Sequence, residues 1–243
     1  MQLVILCAGM GTRLGKRTEA LPKTLLELNG KPVLDHILRS TEIDEVEELI
    51  IVGGFQFDKL KAHLSSYKGK PYRLVENPDY REGSVLTVEK ALPYLKGSFA
   101  LMNGDHIHPQ EMLKKYLTQA KGIACACDYD RKLTDDDMKV KLDASGMVAE
   151  MDKKLVDYDC GYIGMTHYDA SVLELYKEYL GVTLERYGTK SNVEKVVHTL
   201  AEDGHKASIV DLSGFGWLEI DNESDYRHAI EEIGRNEYLK KLA

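Results

Sequence analysis

Long hydrophobic runs and an excess of positive charge are both missing from this sequence of 243 residues. No stretch approaches the roughly 18 consecutive apolar residues that a membrane-spanning helix needs. The 32 Lys and Arg residues stand against 40 Asp and Glu residues, which gives a formal net charge of −8. A nucleic-acid-binding protein would show a basic face, so this balance argues against that class. No basic segment precedes the apolar stretch at the N-terminus, and we therefore expect no signal peptide.

Cysteine is also scarce, with four residues at Cys7, Cys125, Cys127 and Cys160. Their spacing does not match that of a metal-binding knuckle. Cys125 and Cys127 alternate within a strand pattern and so point to the same face, which is typical of small side chains in a core. We predict a reducing, cytoplasmic setting.

The first half of the chain alternates between strand and helix patterns. The predicted strands cover residues 2–7, 49–53, 72–75, 99–102 and 123–127, and the predicted helices cover residues 32–40, 57–64, 85–95 and 110–119. This alternation predicts an α/β fold with a doubly wound, mostly parallel, Rossmann-like sheet. In such a sheet, ligands bind at the carboxyl ends of the strands.

The second half changes character and predicts a smaller α+β part. Its predicted strands cover residues 139–142, 148–151, 161–165 and 207–212, and its predicted helices cover residues 170–180, 192–203 and 224–240. No linker or low-complexity tract divides the chain. We therefore predict a single domain over residues 1–243, with one half at 1–128 and the other at 129–243.

A glycine-bearing loop, CAGMGTRL at residues 7–14, follows the first strand directly. Gly9 and Gly11 have no Cβ, so backbone N–H groups can approach an anion closely. Arg13 and Lys23 add two cations that a bare glycine turn lacks. A loop of this kind is suited to a triphosphate.

Two other phosphate-binding loops match this segment poorly. The dinucleotide fingerprint requires a third glycine at residue 14, where the sequence has Leu14. A Walker loop requires Gly-Lys-Ser/Thr after four intervening residues, and the segment has no such run. A dinucleotide-dependent oxidoreductase therefore remains an alternative that the missing glycine opposes.

The segments LCAGMGTRL at 6–14 and LPK at 21–23 resemble the signature of nucleotidyltransferases that make sugar nucleotides and CDP-alcohols. The resemblance continues through NGDH at 103–106 to WLEID at 217–221, so it covers nearly the whole chain. It implies a nucleoside triphosphate substrate, Mg²⁺ as cofactor, and Arg13, Lys23, Asp105 and Asp221 as catalytic residues. The nucleotide-binding residues that it implies are Leu6, Ala8, Gly9, Met10, Gly11, Thr12, Arg13, Lys23, Gly83, Ser84 and Asp105.

Asp105 and Asp221 are the Mg²⁺ ligands that the resemblance implies, and carboxylates suit this hard cation. Each aspartate has a structural alternative as a helix cap. For Asp105 this alternative fits poorly, because the cap of the following helix should sit near residue 108. For Asp221 it remains open, because a helix is predicted to begin near Ser224. Glu219 shares a face with Asp221 in an extended segment, and its contact with the metal is left open.

The segment before the third predicted helix is where the family reads the nucleobase. Gly83 permits close approach to a flat base, and Ser84 can cap the helix or touch the ligand. Relatives acting on phosphocholine or inositol phosphate often carry an Asn-x-Tyr-Ser-Leu pattern here. This chain has GSVL at 83–86 instead, so the segment does not identify the base.

The second half resembles cytidylyltransferases for inositol phosphate, phosphocholine or aminoalkyl phosphonates. The implied acceptor-binding residues are Lys139, Lys153, Gly161 and Trp217. We predict transfer of CMP from CTP to a small phosphorylated alcohol, with a homo-oligomer as a possible assembly. A sugar-1-phosphate enzyme using UTP, GTP or dTTP is the alternative, and a catalytically silent nucleotide-sugar-binding regulatory subunit is an alternative of another class.

The acidic segment at residues 128–137 holds Tyr129 and five aspartates. Acidic groups beside aromatic rings suit a cationic head group such as choline or an aminoalkyl chain. A solvated loop is the other interpretation of such a charge run. The sequence leaves both open.

Overall fold

The apolar run at the start of the chain lies at the centre of the structure. The computed structural model describes residues 1–237 and 239–242. The strands are β1 (Gln2–Cys7), β2 (Glu27–Leu28), β3 (Lys31–Pro32), β4 (Glu48–Gly53), β5 (Tyr72–Glu76), β6 (Phe99–Asn103), β7 (His106–Ile107), β8 (Ile123–Asp128), β9 (Lys139–Leu142), β10 (Val148–Asp152), β11 (Cys160–Tyr168), β12 (Ala207–Asp211) and β13 (Leu218–Glu219). The α-helices are α1 (Val33–Ser40), α2 (Phe57–Leu64), α3 (Ser84–Glu89), α4 (Gln110–Gln119), α5 (Leu173–Tyr187), α6 (Glu194–Glu202) and α7 (Glu223–Glu232).

Nine of the described strands form one mixed sheet that takes strands from both halves of the chain. Seven of them follow the order β10-β9-β11-β6-β1-β4-β5, and β8 pairs with both β11 and β12. The central strands β6, β1, β4 and β5 are parallel, whereas β11 is antiparallel to each of its neighbours. The predicted parallel, doubly wound first half is confirmed, and the second half extends the same sheet.

Both faces of the sheet are covered, because side chains of β1 alternate between two hydrophobic clusters. Leu3 and Ile5 belong to the cluster that contains side chains of α1 and α4. Val4 belongs to the cluster that contains side chains of α3, α5 and α6. All six residues of β1 except Leu6 are buried, which explains why the strand reads as a continuous apolar run rather than an alternating one.

The four cysteines are buried free thiols, as the strand pattern predicts for core packing. Cys125 and Cys127 lie on the same face and belong to the same hydrophobic cluster. Within the described part of the chain, no helix is both long and apolar enough to cross a bilayer.

Three helices differ from their sequence predictions by more than a few residues. The helix predicted at 85–95 ends at Glu89 and gives way to a 3₁₀ turn at Leu92–Tyr94, because Pro93 cannot continue an α-helix. The helix predicted at 170–180 begins at Leu173 and continues to Tyr187, where Gly188 ends it at φ 77°. The closing helix predicted at 224–240 ends at Glu232, and residue 238 of that prediction lies outside the described residues.

A short antiparallel pair of strands, β7 and β13, was not predicted from the sequence. Glu219 pairs with His106, and Leu218 pairs with Ile107. Just beyond the pair, the Ile220 N–H donates to the Asp105 carbonyl oxygen at 2.9 Å. This pairing brings the two acidic segments, one from each half of the chain, to the same edge of the sheet.

Candidate active site

A cavity of about 270 Å³ lies at the carboxyl ends of β1 and β6. These strands are parallel neighbours, so the loops that follow them open at the same edge of the sheet. The predicted site residues that line the cavity are Leu6, Ala8, Gly9, Arg13, Lys23, Ser84, Asp105, Lys153 and Asp221. The topology thus brings together residues that lie more than 200 positions apart in the sequence.

The Lys23 ammonium lies between the two predicted metal-binding aspartates. Its Nζ donates to Asp105 Oδ2 at 2.6 Å and to Asp221 Oδ1 at 3.1 Å. Burial by itself would lower the pKa of Lys23, but the two carboxylates raise it above its usual value. Burial likewise opposes ionisation of Asp105, yet Lys23 and His106 hold the pKa of that carboxyl well below its usual range. Lys23 and Asp105 are therefore both charged at neutral pH.

Arg13 makes the second cationic contact with Asp221. Its guanidinium pairs with Asp221 and approaches Asp136 Oδ2 at 3.7 Å, while half of the side chain remains exposed. Lys23, in contrast, is only 8% exposed. The two predicted catalytic cations therefore differ in setting: one is part of the cavity floor, and the other lies at its rim.

Neither aspartate is a helix cap. Helix α4 begins at Gln110 after Pro109, well beyond Asp105. The cap of α7 is Asn222, whose side chain accepts from the N–H groups of Ser224 and Asp225. The capping alternative that the sequence left open for Asp221 is wrong.

The residues present fit a hard divalent cation. Ligand atoms of Asp105, His106 and Glu219 lie within 4.8 Å of one another. His106 Nδ1 is engaged by Asp105 Oδ1 at 2.6 Å, whereas the Glu219 carboxylate makes no hydrogen bond or ion pair with the described residues. Burial raises the pKa of Glu219, and the nearby carboxylates of Asp105 and Asp221 add to that effect. A half-buried carboxylate without a partner among the described residues, beside two other carboxylates, is the type of ligand set that Mg²⁺ takes.

A stack of two aromatic rings, Trp217 and His106, packs beside this acidic cluster. The ring of Trp217 stacks on His106, with centroids 5.0 Å apart and an interplanar angle of 6°. Trp217 Nε1 donates to Asp128 Oδ2 at 2.8 Å, and the Arg131 guanidinium lies 4.1 Å from the ring centroid. Trp217, predicted to bind the acceptor, does not line the cavity. It packs against His106 instead, which in turn contacts Asp105.

The remaining predicted residues that do not line the cavity are Met10, Gly11, Thr12, Gly83, Lys139 and Gly161. Gly11 has φ 65°, and a Cβ there would lie 2.9 Å from Lys23 Cβ, so its role is to let Lys23 pack against the loop. A Cβ on Gly83 would collide with the Ser191 carbonyl oxygen, and the Gly83 N–H donates to Thr189 O at 2.7 Å. We expected a nucleobase to approach Gly83 closely, but the backbone of Thr189 and Ser191 occupies that space instead.

Lys139 and Gly161, predicted to bind the acceptor, contact the loop that contains Leu133 and Thr134 instead. The buried Lys139 Nζ donates to the carbonyl oxygens of Thr134 at 2.6 Å and Lys153 at 2.7 Å. A Cβ on Gly161 would lie 2.7 Å from Leu133 Cδ2. Because its ammonium is already satisfied by carbonyl groups, Lys139 is a structural residue here. Lys153 lines the cavity, and its binding of the acceptor stays a prediction.

The sequence predictions assigned no role to several residues that the structure places in the cavity wall. The main ones are Tyr80, Glu82, Asn103, His106, Tyr162 and Glu194. His106 directly follows Asp105, and that adjacency was the one available signal. Glu194 begins a helix far from every motif, so only the packing of α6 against the sheet brings it here.

Comparison with known proteins defines the family to which this chain belongs. The sequence matches the MobA-like NTP transferase domain over residues 3–203. The chain therefore belongs to the MobA-like NTP transferase family, and the nucleotidyltransferase membership that its motifs predicted is confirmed.

Two curated relatives carry the description bifunctional IPC transferase and DIPP synthase. The protein from Rubrobacter xylanophilus is 28% identical over 94% of this chain and 51% of its own length. The protein from Archaeoglobus fulgidus is 28% identical over 94% of this chain and 43% of its own length. The chain thus spans about half the length of these curated relatives.

Solved structures confirm the fold. The inositol-1-phosphate CTP transferase from T. maritima superposes with a TM-score of 0.80 at 19% identity and covers 96% of both chains. The CTP:phosphocholine cytidylyltransferase from Streptococcus pneumoniae gives a TM-score of 0.72 at 22% identity and covers 96% of this chain and 98% of its own. At these identities the likeness concerns the fold.

Proposed function

We propose that this protein is a nucleotidyltransferase that moves CMP from CTP onto a small phosphorylated alcohol or phosphonate and releases pyrophosphate. The observation that carries the proposal is the charged cluster in one cavity: Lys23 held between Asp105 and Asp221, with Arg13 at the rim. This cluster lies beside the glycine-bearing loop that suits a triphosphate.

The chemistry requires no covalent intermediate. An oxygen of the acceptor phosphate attacks the α-phosphorus of the nucleotide and forms the new P–O bond. The bond from the α-phosphorus to the oxygen bridging to the β-phosphate breaks, and pyrophosphate leaves with the electron pair. The acceptor phosphate is ionised at neutral pH, so no general base is needed. Arg13 and Lys23 would stabilise charge on the phosphates, since positioning and charge neutralisation dominate such transfers.

Mg²⁺ is the cofactor we propose, and Asp105, Asp221 and Glu219 are the residues that would hold it. When bound, it would neutralise phosphate charge and help orient the oxygens. Glu219 joins the two aspartates of the sequence prediction because its carboxylate has no partner among the described residues, whereas the Asp221 oxygens already contact Lys23 and Arg13.

The preference for CTP rests on the relatives. Both solved structures named above carry CTP or cytidylyl transfer in their descriptions. A second candidate, transfer to a sugar 1-phosphate, follows from the resemblance of the motifs to nucleotidyltransferases that make sugar nucleotides. The bifunctional protein GlmU from Methanococcus maripaludis is 36% identical to part of this chain. That match covers 44% of this chain and 25% of the relative.

A pyrophosphate-release assay tests the proposal. Equimolar CTP, UTP, GTP and ATP are offered with each of a panel of phosphorylated alcohols and sugar 1-phosphates, and products are identified by mass. We expect a CDP-linked product that forms only with Mg²⁺ and an acceptor. Predominant UDP- or GDP-sugar would establish the second candidate instead, and turnover that persists in excess chelator would contradict the metal assignment.

Nucleotide binding without turnover would indicate the silent regulatory subunit. That class gives no reason to keep Arg13, Lys23, Asp105 and Asp221 together around one cavity. An equilibrium titration of CTP and CDP-alcohols, run beside the assay, separates a binding protein from an inactive preparation.

A further inference from the structure

The cavity is strongly acidic for a site that receives phosphates. Its described lining residues include three Lys or Arg side chains, at Arg13, Lys23 and Lys153. Against these stand seven carboxylates: Glu82, Asp105, Asp136, Asp137, Glu194, Glu219 and Asp221. A triphosphate adds further negative charge, so the substrates and cofactor together must bring positive charge into the cavity.

Most of these charges already have partners in the protein. Arg13 and Lys23 pair with the aspartates described above, and Glu82 contacts Lys190 at 3.2 Å. Asp137 accepts from the Thr134 backbone and hydroxyl. Once Glu219 is assigned to the metal, two charged side chains of the described cavity wall remain without an ionic partner: the Lys153 ammonium and the Glu194 carboxylate.

Glu194 is the more informative of the two. It is 8% exposed, at the first residue of α6, and its side chain lines the cavity. Among the described residues, its one side-chain partner is the Asn103 amide, which donates to Oε1 at 3.3 Å. Burial raises the pKa of Glu194, although Asn103, His106 and Lys153 oppose that rise. A buried carboxylate without a cationic partner is costly, so a ligand that supplies one is favoured.

We propose that Glu194 selects an acceptor with an alkylammonium group at one end and a phosphate or phosphonate at the other, the anionic end lying at Lys153. This inference rests on the proposed function and narrows its acceptor class. Tyr162 and Met138 also line the cavity and would provide a surface for the carbon chain. A neutral polyol would offer Glu194 hydroxyl hydrogen bonds but would leave its charge uncompensated.

The test compares acceptors that differ at one group. Phosphoethanolamine and hydroxyethyl phosphate have the same chain and phosphate, and differ in carrying an ammonium or a hydroxyl. Phosphocholine, aminoethylphosphonate, glycerol phosphate and inositol phosphate extend the two classes. The value of kcat/KM for each is measured at saturating CTP on the wild type, Glu194→Gln, Glu194→Asp and the control Glu202→Gln. Glu202 is at the other end of the same helix and is exposed.

We expect the wild type to prefer the ammonium acceptors, and Glu194→Gln to reduce that preference on the order of 10²-fold, since truncating one member of a buried charge pair has a large cost. Glu194→Asp should retain most of the preference, and Glu202→Gln all of it. An equal loss for both acceptor classes in Glu194→Gln would overturn the proposal, because a merely structural residue has no reason to discriminate. A wild type that prefers hydroxyl acceptors would overturn it as well.

Calorimetric binding of phosphoethanolamine and hydroxyethyl phosphate to the same four proteins gives a second measurement without turnover. If no acceptor yields pyrophosphate, the proposed function fails. The ratio of the two affinities still decides the role of Glu194: selective binding that Glu194→Gln abolishes supports it, and equal affinities refute it.

Discussion

Replacing Lys23 by alanine provides the sharpest test of the charged cluster. The substitution removes an ammonium that contacts Asp105 at 2.6 Å and Asp221 at 3.1 Å. Its side chain is 11% exposed, and those of the two aspartates are 23% and 16% exposed. Because Lys23 is buried between its two partners, we expect its loss to affect stability as well as turnover.

The magnitude follows from the geometry. At an effective dielectric constant of about 20, the 2.6 Å contact alone corresponds to a Coulomb attraction of about 6 kcal/mol before desolvation is subtracted. Removing one member of a buried ion pair costs about 3–5 kcal/mol, because the other member is left uncompensated. We therefore expect Lys23→Ala to lower the free energy of unfolding by about 3–5 kcal/mol and to abolish turnover.

Arg13→Ala is the matched control, because Arg13 contacts the same Asp221 but is half exposed. We expect it to lower turnover while changing the free energy of unfolding by less than about 1 kcal/mol, as is usual for exposed pairs. Urea denaturation with and without Mg²⁺ measures both effects. Mg²⁺ should stabilise Lys23→Ala more than the wild type, because the variant leaves Asp105, Glu219 and Asp221 without the lysine. A denaturation midpoint for Lys23→Ala equal to that of the wild type would refute the reasoning.

Three further predictions concern other parts of the site. Asp105→Asn should reduce kcat on the order of 10³-fold at saturating Mg²⁺ by removing a proposed metal ligand, and near wild-type turnover would show that Asp105 is not a ligand. Lys139→Met should lower the thermal midpoint and raise the acceptor KM more than it changes kcat, because Lys139 joins Thr134 to Lys153; a change in kcat alone would instead support direct phosphate contact. Burial and the neighbouring His106 lower the pKa of His108 to about 3, so its contribution to stability is complete above about pH 6.5 and declines as the pH falls. Between pH 3 and pH 6.5, only the unfolded chain binds a proton at this histidine. The free energy of unfolding of the wild type relative to His108→Gln should therefore fall by up to about 1.4 kcal/mol for each unit that the pH decreases. Parallel pH profiles of the two proteins would contradict this.

The local sequence determined most of the first half. The continuous apolar run of β1 marks a strand buried on both faces, and the glycine-bearing loop after it could be located by motif alone. Asp105 was predicted to line the site because it lies two residues beyond β6, and two parallel strands end at the same edge of a sheet. These features depend on residues adjacent in the chain, which is why sequence patterns report them.

The roles of Lys139, Gly83 and Trp217 depended on tertiary structure. Each lies in a segment that resembles a binding motif, yet its partners are other parts of the protein that spacing alone does not bring to it. Lys139 contacts Thr134 and Lys153, Gly83 contacts the loop at 188–191, and Trp217 contacts the His106 ring. Spacing shows which face of a strand a side chain occupies. It does not show whether that face is already filled by the protein.

The sequence by itself determined the family, and it located the glycine-bearing loop and the two aspartates that line the cavity. These features are carried by contiguous motifs, so each residue type can be read from the sequence directly. Only the tertiary structure decided which charges are compensated. The β7–β13 pair brings Glu219 and Asp221 to Asp105, and the packing of α6 places Glu194 in the cavity wall. Whether a charge is paired or buried depends on distance and solvent exposure in three dimensions, and these are fixed only when the two halves of the chain share one sheet.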